Sequence, residues 1–122
     1  MRMRFRRTAV VAAAFATAAV VAVGPAQAKP DAPWYNCNDG WVCLYPEGQS
    51  PPVSPSVSWY TYGAHNLSNQ FNYHWILNNQ TGGARAKLCT GYNGGGTCYD
   101  DMGPGEGWWT NFTPVNSVVL YP

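Results

Sequence analysis

Charge is scarce in this sequence, and what there is lies unevenly. Charged residues make up 11% of the 122-residue chain, and four of its seven basic side chains are Arg2, Arg4, Arg6 and Arg7. Beyond them, Lys29, Arg85 and Lys87 face Asp31, Asp39, Glu47, Asp100, Asp101 and Glu106, three cations against six carboxylates, a net −3. A body of that charge has no basic patch to neutralise phosphates, which argues against nucleic acid as a partner. Histidine is scarcer still. His65 and His74 stand alone, with no H-x-x-x-H spacing, so a zinc site would have to recruit carboxylates from afar. No G-x-S-x-G turn is present to expose a nucleophilic serine. A CxxC redox pair is missing too, because five residues separate Cys37 from Cys43. These absences point away from an enzyme, and no metal or cofactor is expected. Helical periodicity is also lacking: no window repeats apolar residues at i, i+3, i+4, i+7 over ten or more positions.

The amino-terminal stretch has a different character. The arginines precede an almost wholly apolar run from Ala9 to Val23, and "PAQA" ends at Ala28. A basic region, an apolar region and a small-x-small motif, Ala26-Gln27-Ala28, together read as a signal peptide over 1–28, cleaved after Ala28. The apolar run falls short of the ~20 residues that span a bilayer, and no second one follows. The expected product is secreted and extracellular, with no membrane attachment after cleavage.

All four cysteines, Cys37, Cys43, Cys89 and Cys98, follow that segment. An even count in an exported chain argues for two disulfides. Of the three pairings open to four cysteines, the local one, Cys37–Cys43 with Cys89–Cys98, is favoured by the turn-forming Gly and Asn residues within each interval. Residues 29–36 read as a short irregular segment and 37–122 as a single domain. "GWVCLYPE", "WYTYG", "YHWIL", "ARAKLC", "CYDDM", "WWTNF" and "SVVLY" are extended runs rich in β-branched and aromatic residues, broken by Gly, Pro and Asn clusters. This is an all-β pattern, a small sandwich or barrel. "GQSPPVSPSVS", Gly48 to Ser58, reads as an exposed loop. A cysteine-bearing strand before a Gly-rich turn occurs twice, hinting at related halves.

Aromatics are abundant: six Trp and eight Tyr. Trp41, Tyr45, Trp75 and Trp108 or Trp109 are core candidates. The surplus could make an adhesive face, with Trp59, Tyr60, Tyr62, Trp108 and Trp109 its members. Asp100, Asp101 and Glu106 are the nearest approach to a carboxylate cluster. Adjacent strand positions face opposite ways, so a solvated turn is the better reading than a catalytic pair or a calcium site.

"CNDGWVCLY", "NLSNQFNYHW", "NNQTGGARAKLCTGYNGGG" and the closing "NFTPVNSVVL" together resemble the small secreted actinobacterial proteins of peptidase inhibitor family I36. The resemblance covers nearly all of Cys37 to Leu120. It implies a βγ-crystallin-like fold of two Greek keys, with Ser117 near a motif-closing position. "TPVNSV" lacks the paired acidic or amide residues of crystallin calcium sites. It further implies inhibition of an extracellular peptidase, metallopeptidases first, by substrate-like insertion of the disulfide-braced loop carrying Cys89, Thr90, Gly91, Tyr92 and Asn93, with the reactive bond near Cys89-Thr90. The alternative is a secreted, non-catalytic module that binds cell-wall glycan or protein through the Trp/Tyr set. The sequence leaves the oligomeric state open.

Overall fold

The corners of the chain are set by residues that accept unusual backbone angles. Gly82 and Gly83, at φ 67° and 80°, make a tight turn in which the Ala84 N–H donates to Thr81 O at 3.3 Å; two successive positive φ values favour glycine at both places. Pro104 followed by Gly105 at φ 77° makes another, closed by Glu106 N–H to Gly103 O at 3.2 Å. Between such corners lie the extended aromatic and β-branched runs.

A computed structural model describes residues 3–6 and 34–122. It is all-β, with strands β1 Met3–Arg6, β2 Trp41–Leu44, β3 Val57–Trp59, β4 Gly63–Asn66, β5 Tyr73–Asn79, β6 Arg85–Cys89, β7 Cys98–Met102, β8 Glu106–Asn111 and β9 Ser117–Tyr121. A single 3₁₀ turn, Tyr92–Gly94, is the one helical element among the described residues. The expected signal peptide lies outside the described residues except where it contains β1. Most of segment 29–36 lies outside them as well.

The strands form two antiparallel sheets, ordered β1-β8-β5-β2-β3 and β4-β9-β6-β7. Setting β1 aside, exchanging β2 with β6, β3 with β7, β4 with β8 and β5 with β9 converts one order into the other. The domain is thus a pseudo-symmetric pair of four-strand units, β2–β5 and β6–β9, each lending its third strand to the other's sheet. That exchange couples the halves, because neither sheet is complete without a strand from the other unit.

Between the sheets pack Val42, Leu44, Ile76, Leu88, Met102, Trp108, Phe112, Val118 and Leu120 with their neighbours. Each such buried aliphatic side chain contributes about 1.5–3 kcal/mol. The first sheet is unusual in having a second apolar cluster on its other face. Cys37, Cys43, Tyr45, Trp75 and Leu77 are buried there, flanked by Trp34, Trp41 and Trp109. Alternation along the strands explains it: Ile76 and Trp108 point into the sandwich, and Trp75 and Trp109 point out. β5 therefore shows six buried residues in succession, whereas β6 and β9 of the second sheet leave Arg85, Lys87, Val119 and Tyr121 partly exposed outside.

Both disulfides pair as expected, Cys37–Cys43 and Cys89–Cys98. Tyr45, Trp75 and Trp108 are buried, while Trp41 and Trp109 are half-buried. "WYTYG" is the run the structure divides: β3 ends at Trp59 and β4 begins at Gly63, with Tyr60–Tyr62 crossing from one sheet to the other. A crossing segment cannot stay in one ladder, whatever its propensity.

Candidate functional site

The loop Thr90–Thr97 joins β6 to β7, and Cys89 and Cys98 face each other at its root. It does not project. The Thr90 N–H donates to Thr97 O at 2.9 Å, Gly91 N–H to Gly95 O at 2.9 Å, and Gly95 N–H to Tyr92 O at 3.0 Å. Three side chains then hold it down on the sheet. Ser117 Oγ accepts from Gly94 N–H at 3.0 Å and donates to Gly91 O at 2.7 Å. Asn116 Nδ2 donates to Thr90 O at 2.7 Å. Asn66 and Asn93 bond reciprocally, Asn93 N–H to Asn66 Oδ1 at 2.7 Å and Asn66 Nδ2 to Asn93 Oδ1 at 3.1 Å.

Glycine is demanded by this packing. A side chain at Gly91 would meet the Gly95 carbonyl carbon at 2.7 Å, and one at Gly96 would collide with Thr90 Oγ1. The Gly94 Cα lies against Val119, where an added Cβ would come within 3.1 Å of Cγ2.

Of the loop residues singled out in the sequence, Cys89 is 0% exposed and its carbonyl accepts from Asn116 N–H at 2.9 Å. Thr90 is half-buried, with its carbonyl also taken. The Cys89-Thr90 peptide therefore continues the sheet ladder, with the carbonyls of both residues bonded to Asn116 and the Thr90 N–H to Thr97 O. Tyr92, 58% exposed, and Asn93 form the outward apex.

Beside that apex runs a groove of about 210 Å³ lined by Leu67, Ser68, Asn69, Gln70, Phe71, Tyr92, Thr113, Val115 and Asn116. Three segments meet here: the β4–β5 connection, the β8–β9 connection and the loop apex. Leu67 and Val115 are buried, amides and hydroxyls come from Ser68, Asn69, Gln70, Thr113 and Asn116, and two exposed rings, Tyr92 and Phe71 (52%), belong to the lining. Sequence reasoning missed Phe71. The signal available was an aromatic between two asparagines, Asn69 and Asn72, both of which adopt positive φ (56° and 59°) and turn the chain sharply around it.

The five residues proposed as an adhesive face do not share one. Trp108 is 0% exposed inside the sandwich and can touch no ligand, a correction forced by strand alternation. Trp59 packs against the inter-sheet core and stacks on His65 at 5.6 Å. Trp109 stacks on Tyr73 and contacts Trp75, both at 5.7 Å, while Tyr60 rests on Trp41 at 4.7 Å and Tyr62 is exposed. The histidines serve structure. His74 is buried with Nδ1 2.6 Å from Tyr45 O and Nε2 2.8 Å from Phe71 O, and His65 Nε2 is 2.8 Å from Thr61 O.

Two phenols are perturbed. Burial, and then the neighbouring Tyr35, push the Tyr45 ionisation well above its ordinary value, and its hydroxyl donates to Tyr35 O at 2.7 Å. Tyr121 is raised by burial and by Asp101, with Arg85 opposing. Among the described residues no group of three or more His, Cys, Asp or Glu is placed to hold a metal, and no helix is long and apolar enough to cross a membrane. Comparison of the chain with family models, with curated proteins and with solved structures gave no match in any of the three.

Proposed function

We propose that this protein is a secreted, non-catalytic inhibitor of an extracellular peptidase, and that it docks through the apex of the Cys89–Cys98 loop. The observation that carries the reading is preorganisation. A loop closed by a disulfide and tied down by Ser117, Asn116 and Asn66 loses little freedom on binding, so most of its contact energy becomes affinity. The resemblance to peptidase inhibitor family I36 supports the same reading, and the strand exchange between the halves supports a crystallin-type pair of Greek keys. The contact residues are Tyr92 and Asn93. With the carbonyls of Cys89, Thr90, Gly91 and Tyr92 all occupied by the protein's own donors, the loop acts as a rigid docking surface, with Tyr92 and Asn93 outermost, rather than offering Cys89-Thr90 as a substrate-like bond.

Titrating the oxidised chain from Lys29 onward against thermolysin, and separately against subtilisin, tests this by residual peptidase activity. Stoichiometric inhibition that weakens at least about tenfold in Tyr92→Ala is expected. Absence of inhibition with both enzymes at micromolar protein defeats the reading for their two classes.

The groove favours a second reading, binding of a neutral glycan. A sugar ring offers an apolar face for Phe71 or Tyr92 and hydroxyls for the amides of Asn69, Gln70 and Asn116. Co-sedimentation with purified cell-wall glycan, lost in Phe71→Ala, would support it, and retention in the supernatant would remove it.

A further inference from the structure

β4 and β8 occupy equivalent places in the two units, each the third strand lent to the opposite sheet, yet they end differently. β4 is four residues long, and among the described residues no strand pairs with its outer side. β8 is six residues long, and Met3–Arg6 pairs with it in antiparallel register: Met3 opposite Trp109, Arg4 opposite Trp108, Phe5 opposite Gly107 and Arg6 opposite Glu106.

The phase of the β8 ladder can be read from its inner side. The Phe112 N–H donates to Asn72 O at 2.8 Å, continuing the register that sets Thr110 opposite His74, Trp108 opposite Ile76 and Glu106 opposite Asn78. Backbone groups alternate sides along an antiparallel strand. Those of Trp108 and Thr110 therefore face β5, and those of Gly107 and Trp109 face outward, toward Phe5 and Met3; at the start of the strand the Glu106 N–H turns to Gly103 O instead, and Asn78 O accepts from Gly105 N–H. The outer edge offers two donor–acceptor pairs in a fixed frame. On the sheet's outer face the same edge is bordered by half-buried Trp109, which contacts Trp75 and Tyr73. A position opposite Trp109 in any paired strand falls beside that ring. The chain after residue 28 has net charge −3, whereas the paired segment reads Met-Arg-Phe-Arg.

We infer that the outer edge of β8 is a strand-accepting site for an extended peptide segment of alternating apolar and basic residues. In the full chain Met3–Arg6 fills it. In a chain that begins at Lys29 it is open to a segment of the same kind on a partner. Removal of the leader then uncovers the edge, and the free leader is its simplest ligand. Main-chain bonds supply affinity and the alternate positions supply selectivity. This inference is independent of the inhibitor reading, because the edge and the loop apex belong to different elements.

Among the described residues both apolar clusters, their flanking aromatics and both disulfides are built from residues 34–120, so the chain from Lys29 retains what folds it. The test titrates the peptide Met1–Arg7 into oxidised 29–122 and follows backbone amide shifts by NMR, with two modified peptides beside it. Saturable binding is expected, with shifts concentrated at 105–111. N-methylation at both Met3 and Phe5, whose amides face the edge, should weaken binding by about tenfold or more, and N-methylation at Arg4, whose amide faces away, should leave it nearly unchanged. The full 1–122 chain should not take up the peptide, since its own strand competes at high effective concentration. No binding at about 1 mM peptide, equal binding of all three peptides, equal uptake by the full chain, or a 29–122 dimer that pairs β8 with β8 and excludes the peptide would each overturn the inference.

Discussion

The two long hairpin loops of this domain occupy equivalent positions and are stiffened differently. Tyr45–Ser56 connects β2 to β3, and Thr90–Thr97 connects β6 to β7. The first is stiffened within its own backbone by Pro46, Pro51, Pro52 and Pro55. Its Gln49 Oε1 accepts from Val53 and Ser54 N–H at 2.8 and 3.1 Å, and Trp75 on β5 reaches it with Nε1 donating to Ser50 Oγ at 3.0 Å. The second has no proline and four glycines, and beyond its own three backbone bonds it is fastened by side chains from outside: Ser117 on β9, the equivalent strand, together with Asn116 and Asn66. Cys37–Cys43 braces the segment leading into β2, whereas Cys89–Cys98 clamps the root of the second hairpin itself. A loop rich in glycine is not thereby flexible. When close backbone approach selects the glycines, the same residues that loosen the unfolded chain permit a tightly bonded native turn.

The comparison can be broken most forcefully at the disulfides. Replacing both Cys89 and Cys98 by Ala, or both Cys37 and Cys43, should each lower stability by about 2–5 kcal/mol in denaturant unfolding. Only the first pair should also release the Thr90–Thr97 amides to rapid hydrogen exchange. A smaller loss, roughly 1–3 kcal/mol, is expected for Ser117→Ala. That hydroxyl is buried and serves both Gly91 O and Gly94 N–H, so exchange should rise at Gly94 and stay unchanged at Val53 and Ser54. Ser50→Ala deletes the acceptor of the Trp75 Nε1 bond and leaves the buried indole in place. It should cost about 0.5–1.5 kcal/mol in denaturant unfolding, with amide exchange at Gly94 unchanged.

The weakest effect near neutrality sits at the start of the first loop. The Tyr45 phenol is raised above its ordinary 10.0 in the folded protein by burial. Between that value and the folded one, the unfolded chain releases a proton that the folded chain keeps. The Tyr45 contribution is thus fully present below about pH 10 and is lost as pH climbs toward the folded value. Denaturant midpoints measured from pH 7 upward should stay flat with respect to this group until about pH 10 and then fall, and the decline should be reduced in Tyr45→Phe. A midpoint that rises across that range would reverse the assigned sign.

How much of this was legible before folding differs from one part of the molecule to another. The strands around "WVCL", "YHWIL" and "SVVLY" could be read from composition, since β-branched and aromatic runs bounded by Gly, Asn and Pro have few other outcomes. Local disulfides followed from short spacing around turn residues. Among the aromatics, the sequence could name Tyr45 and Trp75 as core residues but left open which of Trp108 and Trp109 joins them. Trp108 and Trp109 are adjacent and equally apolar, and only their register against Ile76 and Trp75 sends one into the sandwich and the other out. The groove was illegible for a related reason. Phe71, Tyr92 and Asn116 come from three connections far apart in sequence, and no local pattern records that they meet.

By itself the sequence determined the class of the fold, the spacing that permits two short disulfides and the sharp corners, because these depend on local backbone preference and on short-range closure. Tertiary structure alone decided which unit lends β4 and β8 to which sheet, which tryptophan faces water, and that the glycine loop lies flat beneath Ser117 and Asn116 instead of standing free. Those outcomes depend on contacts between residues distant along the chain, and the energy of such a contact exists only once both strands are in register.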